Sequence, residues 1–270
     1  MNNQDKGLKR DTIDKFYTKE VVVENCVNLI KSNIDINSND LIIEPSAGAG
    51  AFIKYINGLS NKQLYMDIAP NHKDVIKTDY LEFNEDVSDN TKNKIHIIGN
   101  PPFGRQASMA KKFIKKSCEY ADSVSFILPK SFKKESFQNT FPLNYHLIVN
   151  EDLPTHSFTM NNIEYDVPCV FQIWIKKSFN REKKEKEIPN GFNFVKKNEQ
   201  PDISFRRVGV YAGKVDTNIE DKSEQSHYFI KFTKQVDVSS LHNIEFDKDN
   251  TVGPRSISKP ELIEKFNEIL

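Results

Sequence analysis

Residues 41–56 read LIIEPSAGAGAFIKYI: a short apolar run, a bend with two glycines, then Phe52, Ile53 and Ile56 at helical spacing. That strand, loop and helix unit limits the fold most, because it recurs along the chain. Gln63 to Asp67 (QLYMD) reads as a second strand ending in an acid, and Val75-Ile76 as a third leading to Thr78-Asp79-Tyr80. Residues 95–99 read as a fourth, and Val124 to Leu128, ending at Pro129-Lys130, as a fifth. Ala110, Phe113, Ile114 and Ser117 make a helix face between the last two. Ahead of them all, Val23, Cys26, Val27 and Ile30 fall at i, i+3, i+4 and i+7, with Thr18 as the expected N-cap and Glu20 in the first turn. Strands alternating with helices predict a parallel, doubly wound α/β sheet. Two later apolar runs, Tyr145 to Val149 and Pro168 to Ile175, read as a closing hairpin, which brings the sheet to seven strands.

The core is expected to end near Lys177. KKSFNREKKEKE (176–187) is a mixed charge run of the kind that stays solvated. Beyond it, ISFRRVGVYAGK (203–214) and HYFIKF (227–232) read as short strands and ISKPELIEKFNEIL (257–270) as a terminal helix. Residues 1–177 therefore form the larger expected domain, and 178–270 a small β-rich extension. Lys+Arg and Asp+Glu both number 38, so any nucleic-acid surface must be local. Cys26, Cys118 and Cys169 lie far apart and the six histidines form no spaced cluster, which argues against a disulfide scaffold or a metal site. The N-terminus is polar and no apolar run approaches the about 18 residues needed to cross a bilayer. The expectation is a soluble intracellular protein of cytoplasm or nucleus with reduced thiols.

Two loops stand out chemically. Ile95, Ile97 and Ile98 form a strand that stops at Gly99, because Asn100-Pro101-Pro102-Phe103 cannot continue a sheet ladder. The result is a rigid loop at the carboxyl edge, where open α/β sheets hold ligands. The other loop, Glu44-Pro45-Ser46-Ala47-Gly48-Ala49-Gly50, bends tightly and presents the next helix N-terminus. Asp67, 23 residues after Glu44 at the end of the second strand, is placed to accept hydrogen bonds from both hydroxyls of a ribose. A dinucleotide fingerprint would need a third glycine at position 53, which is Ile53. The combination favours another nucleoside-bearing cofactor.

In these residues the chain resembles the class I S-adenosylmethionine-dependent methyltransferases of the N6-adenine, amino-methylating type. Phe16-Tyr17-Thr18, the Gly-rich loop, Asp67, Asp79 and Asn100-Pro101-Pro102-Phe103 carry the likeness, in the gamma-like motif order, over roughly residues 14–177. The resemblance implies S-adenosylmethionine as cofactor and no metal. It assigns Tyr17 and Thr18 to the methionine end, Gly48 and Gly50 to backbone contacts, Asp67 to the ribose and Asp79 to the adenine amino group. Phe16, Glu44, Ser46, Ile68 and Tyr80 complete the implied cofactor set. The Asn100 side-chain carbonyl and the Pro101 backbone carbonyl are implied to accept both N–H bonds of the target amine, with Pro102 stiffening the loop. Phe103 is implied to stack on the base, and Phe158 resembles the second aromatic that sandwiches a flipped base.

Substrate residues are also sought by charge. Arg105, Lys111, Lys112, Lys115, Lys116, Lys130, Lys133 and Lys134 outnumber the acids around them, so Arg105 and Lys130 are candidate phosphate contacts, as are Arg206 and Arg207 in the extension. The implied reaction is methylation of adenine N6 in DNA. The same chemistry on RNA, or a catalytically silent nucleic-acid-binding subunit of another methyltransferase, stays open. So does a protein partner or a homodimer.

Overall fold

The computed structural model describes residues 17–84, 93–160, 163–183, 185–247 and 254–270. Phe16, expected at the cofactor, lies outside the described residues. The chain divides into two compact units, one running to Glu182 and the other from Lys183 to Leu270.

In the first unit the elements are β1 (Tyr17–Thr18), α1 (Glu20–Asn33), β2 (Leu41–Glu44), α2 (Ile53–Ile56), β3 (Lys62–Asp67), β4 (Ile76–Lys77), β5 (Ile95–Gly99), α3 (Ser108–Ser117), β6 (Ser123–Pro129), α4 (Glu135–Gln138), β7 (Tyr145–Asp152), β8 (Phe158–Met160), β9 (Ile163–Tyr165) and β10 (Cys169–Lys176). Seven of these strands make one sheet in the order β4-β3-β2-β5-β6-β10-β7. β4, β3, β2, β5 and β6 are parallel, and β10 inserts antiparallel between β6 and β7. This is the doubly wound α/β sheet closed by a hairpin that the sequence predicts.

Alternation along the strands explains why β5 and β6 are apolar throughout. Ile95 and Ile97 of β5 and Val124, Phe126 and Leu128 of β6 pack with Ala110, Phe113 and Ile114 of α3. The residues between them, His96, Ile98 and Ile127, are also buried, so both faces of the sheet are covered. At the amino edge a buried polar knot ties β2 to β5 and β6. Asp40 accepts from the Lys94 amide (2.9 Å) and lies 3.3 Å from His96, whose other ring nitrogen is 2.8 Å from Ser123 Oγ.

Three expectations give way. Thr18 does not cap α1: Lys19 is the N-cap, without a side-chain bond, because Thr18 is held in β1 opposite Phe158. The stretch between the closing strands is not simply a loop, since β1, β8 and β9 form a small antiparallel sheet of their own. Its strands are two or three residues long, too short to show a periodic signal. The run 203–214 is a strand only at its start. Gly209 (φ 95°) and Gly213 (φ 99°) turn the rest into a loop.

The second unit holds β11 (Phe192–Val195), β12 (Ile203–Arg206), β13 (Val215–Asp216), β14 (His227–Phe232), α5 (Val238–Leu241) and α6 (Lys259–Asn267). Its antiparallel sheet, in the order β11-β14-β12-β13, packs Phe192, Ile203, Phe205 and Ile230 with Leu262, Ile263 and Phe266 of α6. A capping box between Ser258 and Glu261, with Pro260 in the first turn, starts α6.

Candidate active site

β2, β3 and β5 run parallel and end together at Glu44, Asp67 and Gly99. β2 leads to β3 on one side and has β5 on the other, so the crevice beyond their carboxyl ends is a topological switch point. A cavity of about 470 Å³ opens there. Tyr17, Thr18, Glu44, Ser46, Gly48, Asp67, Ile68, Asp79, Tyr80, Asn100, Pro101, Pro102, Phe103 and Arg105 all line it.

The Gly-rich loop is pinned from β3. Asp67 accepts from the Gly48 amide at 2.8 Å with one carboxylate oxygen and from the Ala69 amide at 2.8 Å with the other. Each oxygen keeps a lone pair for a further donor. Gly50 does not line the cavity; it shapes the turn, with φ 81°, and a Cβ there would meet Ile53 at 2.8 Å. Ile68 is half exposed, an apolar surface at the cavity wall. Asp79 is solvent-exposed and accepts from the Leu81 amide at 2.9 Å, while Tyr80 is buried, its hydroxyl 2.9 Å from Ser117.

Glu44 is the anomaly of the site. It is 2% exposed and its Oε2 has no hydrogen-bond partner among the described residues. Burial, with the negative charge of Asp67 as a smaller cause, pushes its carboxyl up to about 8. It therefore holds a proton at neutral pH in this structure.

The second loop is held by both its ends. Ser46 Oγ donates to the Asn100 backbone carbonyl at 3.0 Å, bridging the two loops across the switch point. Asn100 Nδ2 donates to Thr18 Oγ1 at 3.2 Å, which is the use β1 finds for that threonine. This leaves Asn100 Oδ1 buried without a partner among the described residues. The Phe103 carbonyl accepts from the Met109 and Ala110 amides at 3.1 and 3.3 Å, satisfying two orphan donors at the start of α3. Between them the chain turns through Gly104 (φ 66°), Gln106 (φ 53°) and Ala107 (φ 58°). Two non-glycine residues in the left-handed region cost about 1 kcal/mol each. That strain collects immediately after the tetrapeptide.

Not every candidate gathers here. Phe158 is buried (1% exposed) opposite Thr18, because β8 needs an inward apolar side chain, and the structure does not bring it to the cavity. Lys130 pairs with Asp152 at 3.4 Å, as does Lys133 at 3.0 Å. Lys116 pairs with Glu119 at 3.1 Å and Lys111 covers the Phe137 ring at 4.2 Å, so much of the basic excess around α3 is compensated. Met109 and Phe113 line the cavity although the sequence marked Phe113 only as core. Their signal was the helix face, which could not say that its first turn abuts a ligand space. Among the described residues no group of three or more His, Cys, Asp or Glu could hold a metal ion, and no helix is long and apolar enough to cross a membrane.

The seven-stranded order with its one reversed inner strand and the site at the switch point define a methyltransferase-like α/β fold. No family model matches the sequence, and no curated protein matches it. Solved structures similar to it include a Pyrococcus horikoshii protein assigned as an RNA methyltransferase (17% identity, 64% of this chain and 93% of that one, TM-score 0.48). Others are the modification subunit assigned to a type I restriction enzyme of Vibrio vulnificus (13%, 60% and 44%, 0.47) and the 23S rRNA methyltransferase ErmE (11%, 62% and 71%, 0.46). At these identities and scores the likeness says nothing about chemistry, and the fold rests on the chain's own strand order.

Proposed function

We propose that the protein is an S-adenosylmethionine-dependent methyltransferase acting on nucleic acid, and that its target is the N6 amino group of adenine, in DNA before RNA. The observation that carries this reading is Asn100 Oδ1, a buried carbonyl oxygen without a partner on the cavity wall. A buried acceptor left unmade costs about 1–3 kcal/mol, so the site favours a ligand that brings an N–H.

The residues fit the cofactor. Asp67 is fixed at the strand end with free lone pairs for two hydroxyls, Ile68 and Tyr80 line the same cavity, and Glu44 adds a buried carboxyl whose Oε2 has no partner among the described residues. When bound, S-adenosylmethionine supplies an electrophilic methyl group on a sulfonium, a good leaving group.

The chain's own work is on the amine. The exocyclic nitrogen of adenine is a weak nucleophile because its lone pair is delocalised into the ring. Acceptance of its two N–H bonds by Asn100 Oδ1 and the Pro101 carbonyl draws it toward tetrahedral geometry and returns the lone pair to nitrogen. Pro101 and Pro102 fix φ, and Ser46 and Thr18 hold Asn100 at both its backbone and its amide nitrogen, so the acceptors are placed in advance. Phe103, half-buried, offers a ring face to the base. No strong base is required, since the methylated ammonium loses its proton to water.

The test is methyl transfer from labelled S-adenosylmethionine to matched single-stranded DNA, duplex DNA and RNA, followed by nucleoside mass spectrometry. N6-methyladenine in DNA is the expected product. Product in RNA alone would keep the chemistry and move the substrate; cofactor binding without any methylated nucleoside would overturn the reading.

A further inference from the structure

The C-terminal unit has a concave site of its own. β12 and β14 pair Arg206 opposite His227 and Ser204 opposite Phe229, and β13 places Asp216 opposite Ser204. Beyond the last β13 pair the Arg206 amide donates to the Lys214 carbonyl at 2.8 Å. With a period of two, Ser204, Arg206, Lys214, Asp216 and His227 share one face of the sheet, while Ile203, Phe205, Val215 and Ile230 face the core. A register slip of one residue would bury the cations.

A cleft of about 190 Å³ opens among Arg206, Tyr211, Lys214, Asp216, Lys222 and His227. Its charges do not cancel. Asp216 is taken by Lys222 at 2.8 Å and also feels the charge of Lys214, whereas among the described residues neither Arg206 nor Lys214 forms an ion pair. His227, its pKa lowered by burial, adds no charge at neutral pH. Arg206 is braced, its Nε donating to the Val208 carbonyl at 2.8 Å and its Nη1 to Ser226 Oγ at 3.3 Å, which leaves Nη2 without a bond among the described residues. Arg207 is not part of the cleft: it donates to the Gln225 carbonyl at 2.6 Å and lies over the Tyr228 ring. At the cleft Tyr211 is 71% exposed.

We propose that this cleft is a phosphate site for the backbone of a single polynucleotide strand, with Arg206 and Lys214 on the phosphate and Tyr211 stacking on the adjoining base. A fixed guanidinium with a free N–H beside a mobile ammonium suits a phosphodiester oxygen pair. An exposed aromatic beside a cationic groove is the arrangement that holds single strands without reading their sequence, since every base has a π-face. A free inorganic anion would use the cations and have no use for the ring. The inference rests on the nucleic-acid reading of the active site, and its test avoids that site.

The full chain is titrated with a fluorescein-labelled oligothymidylate, which contains no adenine and so no target amine, over a series of salt concentrations. Lys214→Gln should weaken binding about 3–10-fold and make the slope of log K against log salt shallower by about 0.7, the single-strand value for one phosphate contact. Tyr211→Ala should weaken it by about 5–100-fold at an unchanged slope. Among the described residues neither side chain makes a hydrogen bond or ion pair, so both variants are expected to melt like the parent. Wild-type affinity and slope in both variants would overturn the proposal. So would oligothymidylate binding weakened by Lys214→Gln but unchanged in Tyr211→Ala, which would mark a small-anion site. Loss of methyl transfer with oligothymidylate binding intact would instead count against the active-site reading alone.

Discussion

Two concave sites of the molecule are built by opposite means. The 470 Å³ cavity is lined by loops at strand ends and presents buried oxygens without partners among the described residues, Glu44 Oε2 and Asn100 Oδ1. The 190 Å³ cleft is lined by side chains of strands and adjoining turns and presents three cations, Arg206, Lys214 and Lys222, to one acid, Asp216. On the proposed reading the first recognises a neutral group by hydrogen bonds placed beforehand, which suits a reaction. The second, as proposed, recognises charge and tolerates imprecise placement, which suits retention of a polymer.

Four experiments sharpen that contrast, from the largest expected effect downward. Glu44 has a folded pKa of about 8 against an ordinary 4.5, so between those pH values the folded protein binds a proton that the unfolded chain has released. Stability therefore falls as pH rises through this window and levels off above about 8. The full loss is about 5 kcal/mol, of which about 3 kcal/mol falls between pH 5.5 and 8.5, and Glu44→Gln should remove it. Urea unfolding at pH 5.5 and 8.5 measures this, and equal slopes in parent and variant would mean the carboxyl is not buried as described. Next is Gly104→Ala. Its φ of 66° with ψ 177° is a glycine conformation, and a Cβ would meet Met109 Cγ at 2.8 Å and the Met109 amide at 3.0 Å. A loss of about 2–3 kcal/mol in thermal or urea melts is expected, with the tetrapeptide loop displaced. Asp67→Asn turns one of two acceptors into a donor facing an amide, and calorimetry should find S-adenosylmethionine affinity reduced about 10–100-fold. Unchanged affinity would remove Asp67 from the cofactor site. The smallest effect belongs to the cleft, where Lys214→Gln should leave S-adenosylmethionine affinity untouched while weakening oligothymidylate only several-fold.

The same contrast explains what could be read from the sequence. Glu44 to Gly50 and Asn100 to Phe103 are contiguous, and strand ends deliver contiguous residues to one edge, so the motifs mapped directly onto the cavity. The large sheet was legible because Ile95 to Gly99 and Val124 to Leu128 are long, buried runs. Thr18 was read as a helix cap because Thr before a helical face commonly is one; its pairing with Phe158, 140 positions away, carries no local signal. Phe158 itself was assigned by position in a polar stretch, and the three-residue strand that buries it is too short for periodicity to reveal. In the cleft, Arg206, Lys214 and His227 come together only through the register of three strands. The run 203–214 showed two arginines side by side, and only the pleat separates Arg206, which faces the cleft, from Arg207, which does not.

The central claim is that Asn100 Oδ1 accepts an N–H from the target amine. Its most direct test is Asn100→Ala, with single-turnover methyl transfer to adenine-containing DNA and S-adenosylmethionine affinity measured on the same preparation. The account predicts transfer slowed by about 10²–10³-fold or more, with cofactor affinity within about threefold of the parent. Transfer at the parent rate, or a loss explained entirely by weaker cofactor binding, would contradict it.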